Sequence, residues 1–222
     1  MVILFACDLD GTLIHSYKKF RDGDICVEIY EGREQSFISA RAFELLKKIS
    51  AQVIFVPVTT RSIAQYQRIF WTEDFRPRCA MVANGAIFLD GEQKIFYREV
   101  IAPYEKELNF QLKKYSGDKS FNICRIVDES FLFLRCRDDI DAEKIHFDTN
   151  LTVQHTGKKI YLFPPELNKG AALKLLIKKF SPDKIFAAGD SEIDLPMLEL
   201  ADVAFHEFNC AEDFLEKIFR TL

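Results

Sequence analysis

The sequence predicts an α/β fold, a parallel sheet wrapped by helices, with a smaller α+β unit inserted into it. Three observations carry this expectation. Apolar runs alternate with helical patterns toward both ends of the chain, the middle of the chain replaces that alternation with paired strands, and acidic motifs follow the first and the later runs. Continuous apolar runs suit strands covered on both faces, and their alternation with helices is the pattern of a sheet wrapped on both sides.

The first run, Val2 to Cys7, reads as a buried strand and leads directly into DLDGTL, Asp8 to Leu13. Ligands of open α/β sheets collect at the carboxyl ends of such strands. Gly11 lets the chain turn at once, so Asp8 and Asp10 can face one crevice. Two acids that close repel each other without a cation between them, and Mg2+, which prefers oxygen ligands, suits the place. Residues His15 to Phe37 then read as a hairpin, with Ile25 to Tyr30 and Gln35 to Ile38 on either side of Glu31 and Gly32. Its place beside Asp8 and Asp10 makes it a candidate flap. Ser39 caps a helix with Ala42, Leu45, Leu46 and Ile49 on one face, and Ser62 caps another with Ile63, Tyr66 and Ile69. Strands are expected at Val53 to Thr59 and Cys79 to Ala83.

After Asn84 and Gly85 the rhythm changes. Ile87 to Leu89 and Ile95 to Tyr97 flank Asp90 and Gly91, a hairpin signal. A helix pattern from Pro103 to Tyr115, strands at Asn122 to Val127 and Phe131 to Arg137, a helix near Ala142 to Phe147, and strands at Leu151 to His155 and Lys159 to Phe163 give αββαββ. Pro164 and Pro165 end the last of these strands and mark the return. The expected division is a core of residues 1–85 and 165–222 and an inserted domain of residues 86–164. Strands at Ile185 to Gly189 and Val203 to Phe208 complete the core.

Composition bounds the function classes. The 222 residues are 48% hydrophobic with 21 Phe, enough for a substantial core. A net charge of -4 and a pI near 5.7 argue against a broad nucleic-acid surface, because such affinity comes from clustered Lys and Arg. The six cysteines show neither CxxC pairs nor zinc spacing and read as small core residues. With no signal-peptide pattern and no apolar stretch of membrane-spanning length, a soluble cytoplasmic protein without a membrane partner is expected. Monomer and homodimer both remain open. The four histidines lack ligand spacing, and His15 alone falls near the crevice.

Four segments carry the chemistry: DLDGT at Asp8, VTTRS at Val58, NKGAAL at Asn168 and GDSEID at Gly189. Asp8 is the candidate nucleophile, since carboxylates attack phosphoryl groups where a metal neutralises the incoming charge. Asp10 is placed to protonate the leaving oxygen and later to take a proton from water. Thr59 ends the second strand, and the hydroxyls and free N–H groups of Thr59, Thr60, Arg61 and Ser62 at a helix start suit an anion. Asn84, Gly85 and Ser191 are further candidates for substrate contact. Lys169, before a helix of Ala171, Leu173, Leu176 and Ile177, can neutralise both a phosphate and Asp8. Asp190 is the better direct metal ligand, whereas Asp194 either reaches the metal through water or holds Lys169.

Together these residues resemble those of haloacid dehalogenase superfamily phosphatases, in the Cof-type branch (class IIB) with a large C2-type cap between the second and third motifs. Sucrose-phosphate and mannosyl-phosphoglycerate phosphatases share that branch. The resemblance spans essentially the whole chain. It implies a Rossmann-like core with the αββαββ insertion as cap, and Asp8 as nucleophile and metal ligand. It also implies Asp10 as acid and base with its backbone carbonyl on Mg2+, Thr59 and Lys169 on the phosphate, and Asp190 with Asp194 at the metal. Two positions depart from the pattern: Thr60 stands where many relatives have Gly, and Ile193 where many have Asn.

Alternation on the inserted strands puts Leu132, Leu134 and Cys136 on one face and Phe131, Phe133, Arg135 and Arg137 on the other. The neighbouring strands likewise set Arg125, and Lys159 with Tyr161, apart from their aliphatic neighbours. By the resemblance that basic, aromatic face looks onto the active site, so Arg125, Arg135, Arg137 and Lys159 are candidates for binding the part of the substrate away from the phosphate. The leading expectation is a Mg2+-dependent phosphatase acting through an aspartyl-phosphate on a small, sugar-like phosphorylated metabolite. A phosphomutase returning the phosphoryl group to the substrate, and a noncatalytic phospho-ligand-binding protein, are the alternatives.

Overall fold

The computed structural model describes residues 1–72 and 75–222. The chain separates into two compact units, residues 1–95 with 169–222, and residues 96–168.

The first unit opens with β1 (Ile3–Cys7), whose five residues are all buried. The segment after DLDGTL forms β2 (His15–Ser16), β3 (Asp24–Tyr30) and β4 (Arg33–Ser39), a small sheet in the order β2-β4-β3. Ser39 then caps α1 (Ala40–Ser50), accepting from the Ala42 N–H as its place in the sequence predicts. β5 (Ile54–Pro57) and α2 (Ile63–Gln67) follow; α2 starts with a capping box between Ser62 and Gln65 and covers fewer residues than the spacing predicts. Next come β6 (Cys79–Val82), β7 (Ile87–Asp90) and β8 (Gln93–Phe96), a second small sheet. Because β7 pairs with β6 along its length, this hairpin belongs to the first unit. The division therefore falls at Ile95 and Lys169, where the sequence reading puts it after Gly85 and before Pro165.

In the second unit, α3 (Glu105–Tyr115) precedes the antiparallel strands β9 (Phe121–Val127), β10 (Phe131–Cys136), β11 (Thr152–Thr156) and β12 (Lys159–Phe163), arranged β11-β12-β10-β9. The second helix expected here is a single 3-10 turn, Ala142–Lys144. Asp141 caps that turn, but Ile145 is already extended, so the chain leaves the helical path after one turn. The register places Phe133 opposite both Tyr161 and Arg125, and Arg135 opposite Lys159. Arg125, Arg135 and Lys159 are exposed, whereas Tyr161 is buried and Phe131 packs on Phe163 with ring centres 4.8 Å apart. Cys124 and Leu134 share the other face, and the Cys124 thiol lies against the Leu112 carbonyl of α3. Arg137 falls outside this arrangement. The register shifts between Arg135 and Cys136, β10 ends at Cys136, and the Arg137 guanidinium pairs with Asp139 at 3.2 Å.

The chain returns to the first unit with α4 (Lys169–Phe180), β13 (Lys184–Ala188), α5 (Leu195–Leu198), β14 (Val203–Phe205) and α6 (Ala211–Thr221). The central sheet runs β14-β13-β1-β5, every pair parallel. A parallel bridge between Val58 and Met81 links it to β6. Phe5 in the middle strand meets Phe55 of β5 at 5.4 Å and Phe214 of α6 at 6.3 Å, which ties the sheet to a covering helix. Truncating such a buried Phe costs about 3–5 kcal/mol. The cysteines are all free, with Cys7, Cys79 and Cys136 buried. Among the described residues no helix is long and apolar enough to cross a membrane.

Candidate active site

β1, β5 and β13 are neighbours in the sheet, so their carboxyl ends bring Asp8, Thr59 and Asp190 to one edge. Asp8 is 6% exposed and its backbone N–H continues the ladder by donating to the Ala188 carbonyl at 2.9 Å. Gly11 then turns with φ +93°, and a Cβ at that position would stand 2.3 Å from Oδ2 of Asp190. Glycine is needed twice over, for the left-handed turn and for the approach of the second acidic segment. The Thr12 hydroxyl donates to Oδ1 of Asp190 at 3.0 Å and lies 3.5 Å from Oδ2 of Asp8, bridging the two ends of the chain.

Lys169, the first residue of α4, is 1% exposed. Its ammonium donates to Oδ1 of Asp8 and Oδ1 of Asp194, each at 2.5 Å. The other oxygen of Asp194 accepts from the backbone N–H groups of Asp190 and Ser191, at 3.1 and 3.0 Å, and from the Ser191 hydroxyl at 2.8 Å. Asp194 is thus committed on both oxygens, one to Lys169 and one to the loop that presents Asp190. Ser191, a candidate for substrate contact by sequence, spends its hydroxyl on that loop. Asp8, Asp190 and Asp194 each offer a carboxylate oxygen within 4.8 Å of the others.

Electrostatics follow from burial of this cluster. Burial raises the Asp8 carboxyl to about 7, with the Asp194 charge adding to it and Lys169 opposing it. Burial likewise raises Asp190, against the hydrogen bond from Thr12. Lys169 loses stability as a cation through burial, but Asp194 and Asp8 outweigh that and raise its pKa. One ammonium faces three carboxylates.

Asp10, whose charge also raises the Asp8 carboxyl, is paired with Arg61. Its side chain is 45% exposed, and Arg61 grips both of its oxygens, through Nε and one terminal nitrogen, at 2.7 Å each. Arg61, expected on the substrate, is itself buried and also donates to Glu28 at 2.9 Å, to the Ser36 hydroxyl at 3.2 Å and to the Gln65 carbonyl at 3.2 Å. Thr59 is fully buried, and its hydroxyl accepts from the Arg61 N–H at 3.2 Å. Ala83 and Asn84, both left-handed, pin the Asn84–Gly85 turn onto this segment: the Ala83 N–H donates to the Arg61 carbonyl and the Asn84 N–H to the Thr59 carbonyl. Thr60 is half-buried beside them. The His15 ring donates through Nε2 to the Asp24 carboxylate at 2.7 Å within the hairpin. Arg125, Arg135 and Lys159 belong to the second unit and are described with it above.

Sequence reasoning missed Thr12, Glu28, Ser36 and Arg68. Thr12 was open to detection as the threonine of DLDGT; the others have no local signal, because their partners are distant in sequence.

The family model described as haloacid dehalogenase-like hydrolase matches residues 5–135 and 104–206. Phosphoglycolate phosphatase of Methanoculleus marisnigri is 31% identical over 126 residues, 54% of this chain and 51% of that protein, so the match spans about half the relative's length. Among solved structures, Thermoplasma acidophilum 0175 is similar with a TM-score of 0.70 at 17% identity, covering 100% of this chain and 98% of that one. A trehalose-6-phosphate phosphatase related protein superposes with a TM-score of 0.62 at 17% identity, over 98% and 97% of the two chains. The sucrose-phosphatase of Synechocystis sp. PCC6803, in complex with sucrose and phosphate, gives 0.59 at 15% identity, over 98% and 87%. With the family model spanning most of its length, the chain belongs to the haloacid dehalogenase-like hydrolases.

Proposed function

We propose that this hydrolase is a Mg2+-dependent phosphomonoesterase that passes the phosphoryl group of a small, sugar-phosphate-like metabolite to Asp8 and then to water. The observation that carries the reading is the buried ammonium of Lys169 shared between Asp8 and Asp194, with Asp190 alongside, at the carboxyl edge of a parallel sheet. A merely structural ion pair needs one acid for one base. Here the excess of carboxylates calls for a further cation.

The donor set fits Mg2+, a hard ion that takes oxygen ligands and is usually held by one or two carboxylates with substrate oxygens and water. Asp8 and Asp190 would hold it directly, with the Asp10 backbone carbonyl as the family resemblance implies. Asp194, engaged on both oxygens, acts through Lys169 and the loop. When bound, the ion offsets the charge of the phosphate and lets an anionic nucleophile approach it.

Within the chain, Lys169 orients Asp8 and neutralises part of the incoming charge. One Asp8 oxygen attacks phosphorus, the ester P–O bond breaks, and Asp10 gives the leaving oxygen its proton. Water then attacks the same phosphorus as Asp10 takes up its proton, and the bond to Asp8 breaks, restoring both residues. Thr59 and Thr60 supply hydroxyls for the phosphate's remaining oxygens, as the family resemblance implies, while the Arg61, Ser62 and Gln65 N–H groups are spent on bonds within their own segment.

We take the second unit as the specificity-bearing cap, with Arg125, Arg135 and Lys159 binding a sugar or a second anionic group. The named relatives, phosphatases of phosphoglycolate and sucrose phosphate, support a small polar substrate. The test is a screen of phosphorylated metabolites with Mg2+, using Asp8→Asn as the blank. Release of inorganic phosphate supports the reading, whereas isomerisation of a sugar phosphate without release points to a mutase.

A further inference from the structure

The hairpin between DLDGTL and α1 carries a buried carboxylate with no place in the chemistry described so far. Glu28 is 3% exposed and its neighbour Val27 2%. Successive strand residues normally face opposite sides. Here the register between β3 and β4 slips on both sides of Glu28, a bulge that turns consecutive side chains inward. The segment after α2 fastens the bulge, through a bridge between Glu28 and Ile69 and a bond from the Phe70 N–H to the Val27 carbonyl.

The redirected carboxylate is fully engaged. One oxygen accepts from the Ser36 hydroxyl at 2.6 Å and from Arg61 at 2.9 Å, and the other from Arg68 at 2.9 Å. Arg61 in turn reaches Asp10 with two parallel bonds of 2.7 Å. Such a fork fixes direction as well as charge. The Gln65 carbonyl and the Ser36 hydroxyl also accept from Arg61, but Glu28 is the one charged anchor opposite Asp10 among the bonds described, so it sets the side from which the guanidinium is held.

We propose that Glu28 is a positioning residue for proton transfer: it anchors Arg61, and Arg61 fixes the direction of the Asp10 carboxylate. This rests on the reading of Asp10 as the acid and base. It also gives the hairpin a task, since the residue that aligns the second aspartate of the motif is supplied by the strand just after it.

The competing account is that Glu28 only neutralises a buried arginine. Leaving-group dependence separates the two. An alkyl alcohol needs a proton as it departs, whereas nitrophenolate does not, and kcat/KM covers only the steps through transfer to Asp8. General acid catalysis contributes about 10²–10⁴-fold. Misaligning it through Glu28→Gln should therefore lower kcat/KM for β-glycerophosphate by about 10–100-fold and for p-nitrophenyl phosphate by less than about 3-fold. Glu28→Asp keeps the charge but shortens the reach, so it should show the same selectivity in a fold that is easier to retain. A crystal structure of either variant should show the Arg61 guanidinium off at least one Asp10 oxygen. Equal losses on the two esters, no loss on either, or an intact fork in the variant structure would overturn the proposal. Asp10→Asn tells the two levels apart. If it too lacks selectivity, the acid and base reading fails; if it alone is selective, only the role of Glu28 does.

Discussion

The Lys169 ammonium meets the Asp8 carboxylate at 2.5 Å, though 161 residues separate them in sequence. The contact joins the start of α4 to the end of β1. Its burial makes the interaction strong and makes either residue costly to leave alone.

Replacing Lys169 by Met removes the cation and leaves Asp8 and Asp194 facing each other. The expected cost is about 3–5 kcal/mol, read from the urea midpoint without divalent cation. Phosphatase activity should fall by at least about 10²–10³-fold, the scale for loss of one donor at a developing charge. Mg2+ should restore part of the stability and none of the activity.

Asp194→Asn separates a loop-holding role from direct metal ligation. The amide cannot accept from the Asp190 and Ser191 donors and also pair ionically with Lys169. Mg2+ affinity measured by calorimetry should weaken about 10–100-fold, as for residues that orient ligands. Complete loss of binding would instead mark Asp194 as a ligand itself.

Mg2+ should stabilise the protein more at high pH than at low. Burial holds Asp8 up near 7 and raises Asp190 as well, so protons compete with the ion. For Asp8 the folded pKa lies above the unfolded one. The folded state thus binds more protons between about pH 4 and pH 7, and in the absence of metal this group lowers stability as pH rises through that window. Mg2+ held by the deprotonated form would reverse the trend. Thermal melts with and without excess Mg2+ should show a small shift near pH 5 and a larger one, several degrees at about 100 Kd, near pH 8.

Glu28 has the opposite sign. Burial raises its carboxyl, but the bonds and charge of Arg61, with those from Ser36 and Arg68, outweigh this and hold it below its ordinary value. Its contribution to stability is therefore complete above the ordinary carboxylate range and is lost as pH falls through the lowered folded pKa. Glu28→Gln should be less stable than the parent at neutral pH, and the gap should narrow on acidification to about pH 3, measured by denaturant unfolding.

Much of the site was legible because parallel sheets gather strand ends. Asp8, Thr59 and Asp190 follow apolar runs directly, and once β1, β5 and β13 are neighbours the residues meet. Lys169 was legible by its place at a helix start. The direction of side chains was not. Asp10 and Arg61 were assigned separately, and their pairing depends on Glu28, which faces inward only because of a bulge that alternation cannot foresee. The second inserted helix failed for a different reason: Ala142 and Ile145 lie one helical turn apart, but Ile145 is extended and the turn is not continued. The Ile87–Ile95 hairpin was assigned to the insertion because local pattern shows a hairpin without showing that its first strand also pairs with β6.

The central claim is that Asp8 carries the phosphoryl group. Acid-quenched turnover of a substrate found by the screen, followed by mass spectrometry of the peptides, tests it directly. One phosphoryl group on the peptide containing Asp8, absent from Asp8→Asn, is the predicted result. Undiminished phosphate release by Asp8→Asn, or a phosphoryl group trapped on another residue, would contradict it.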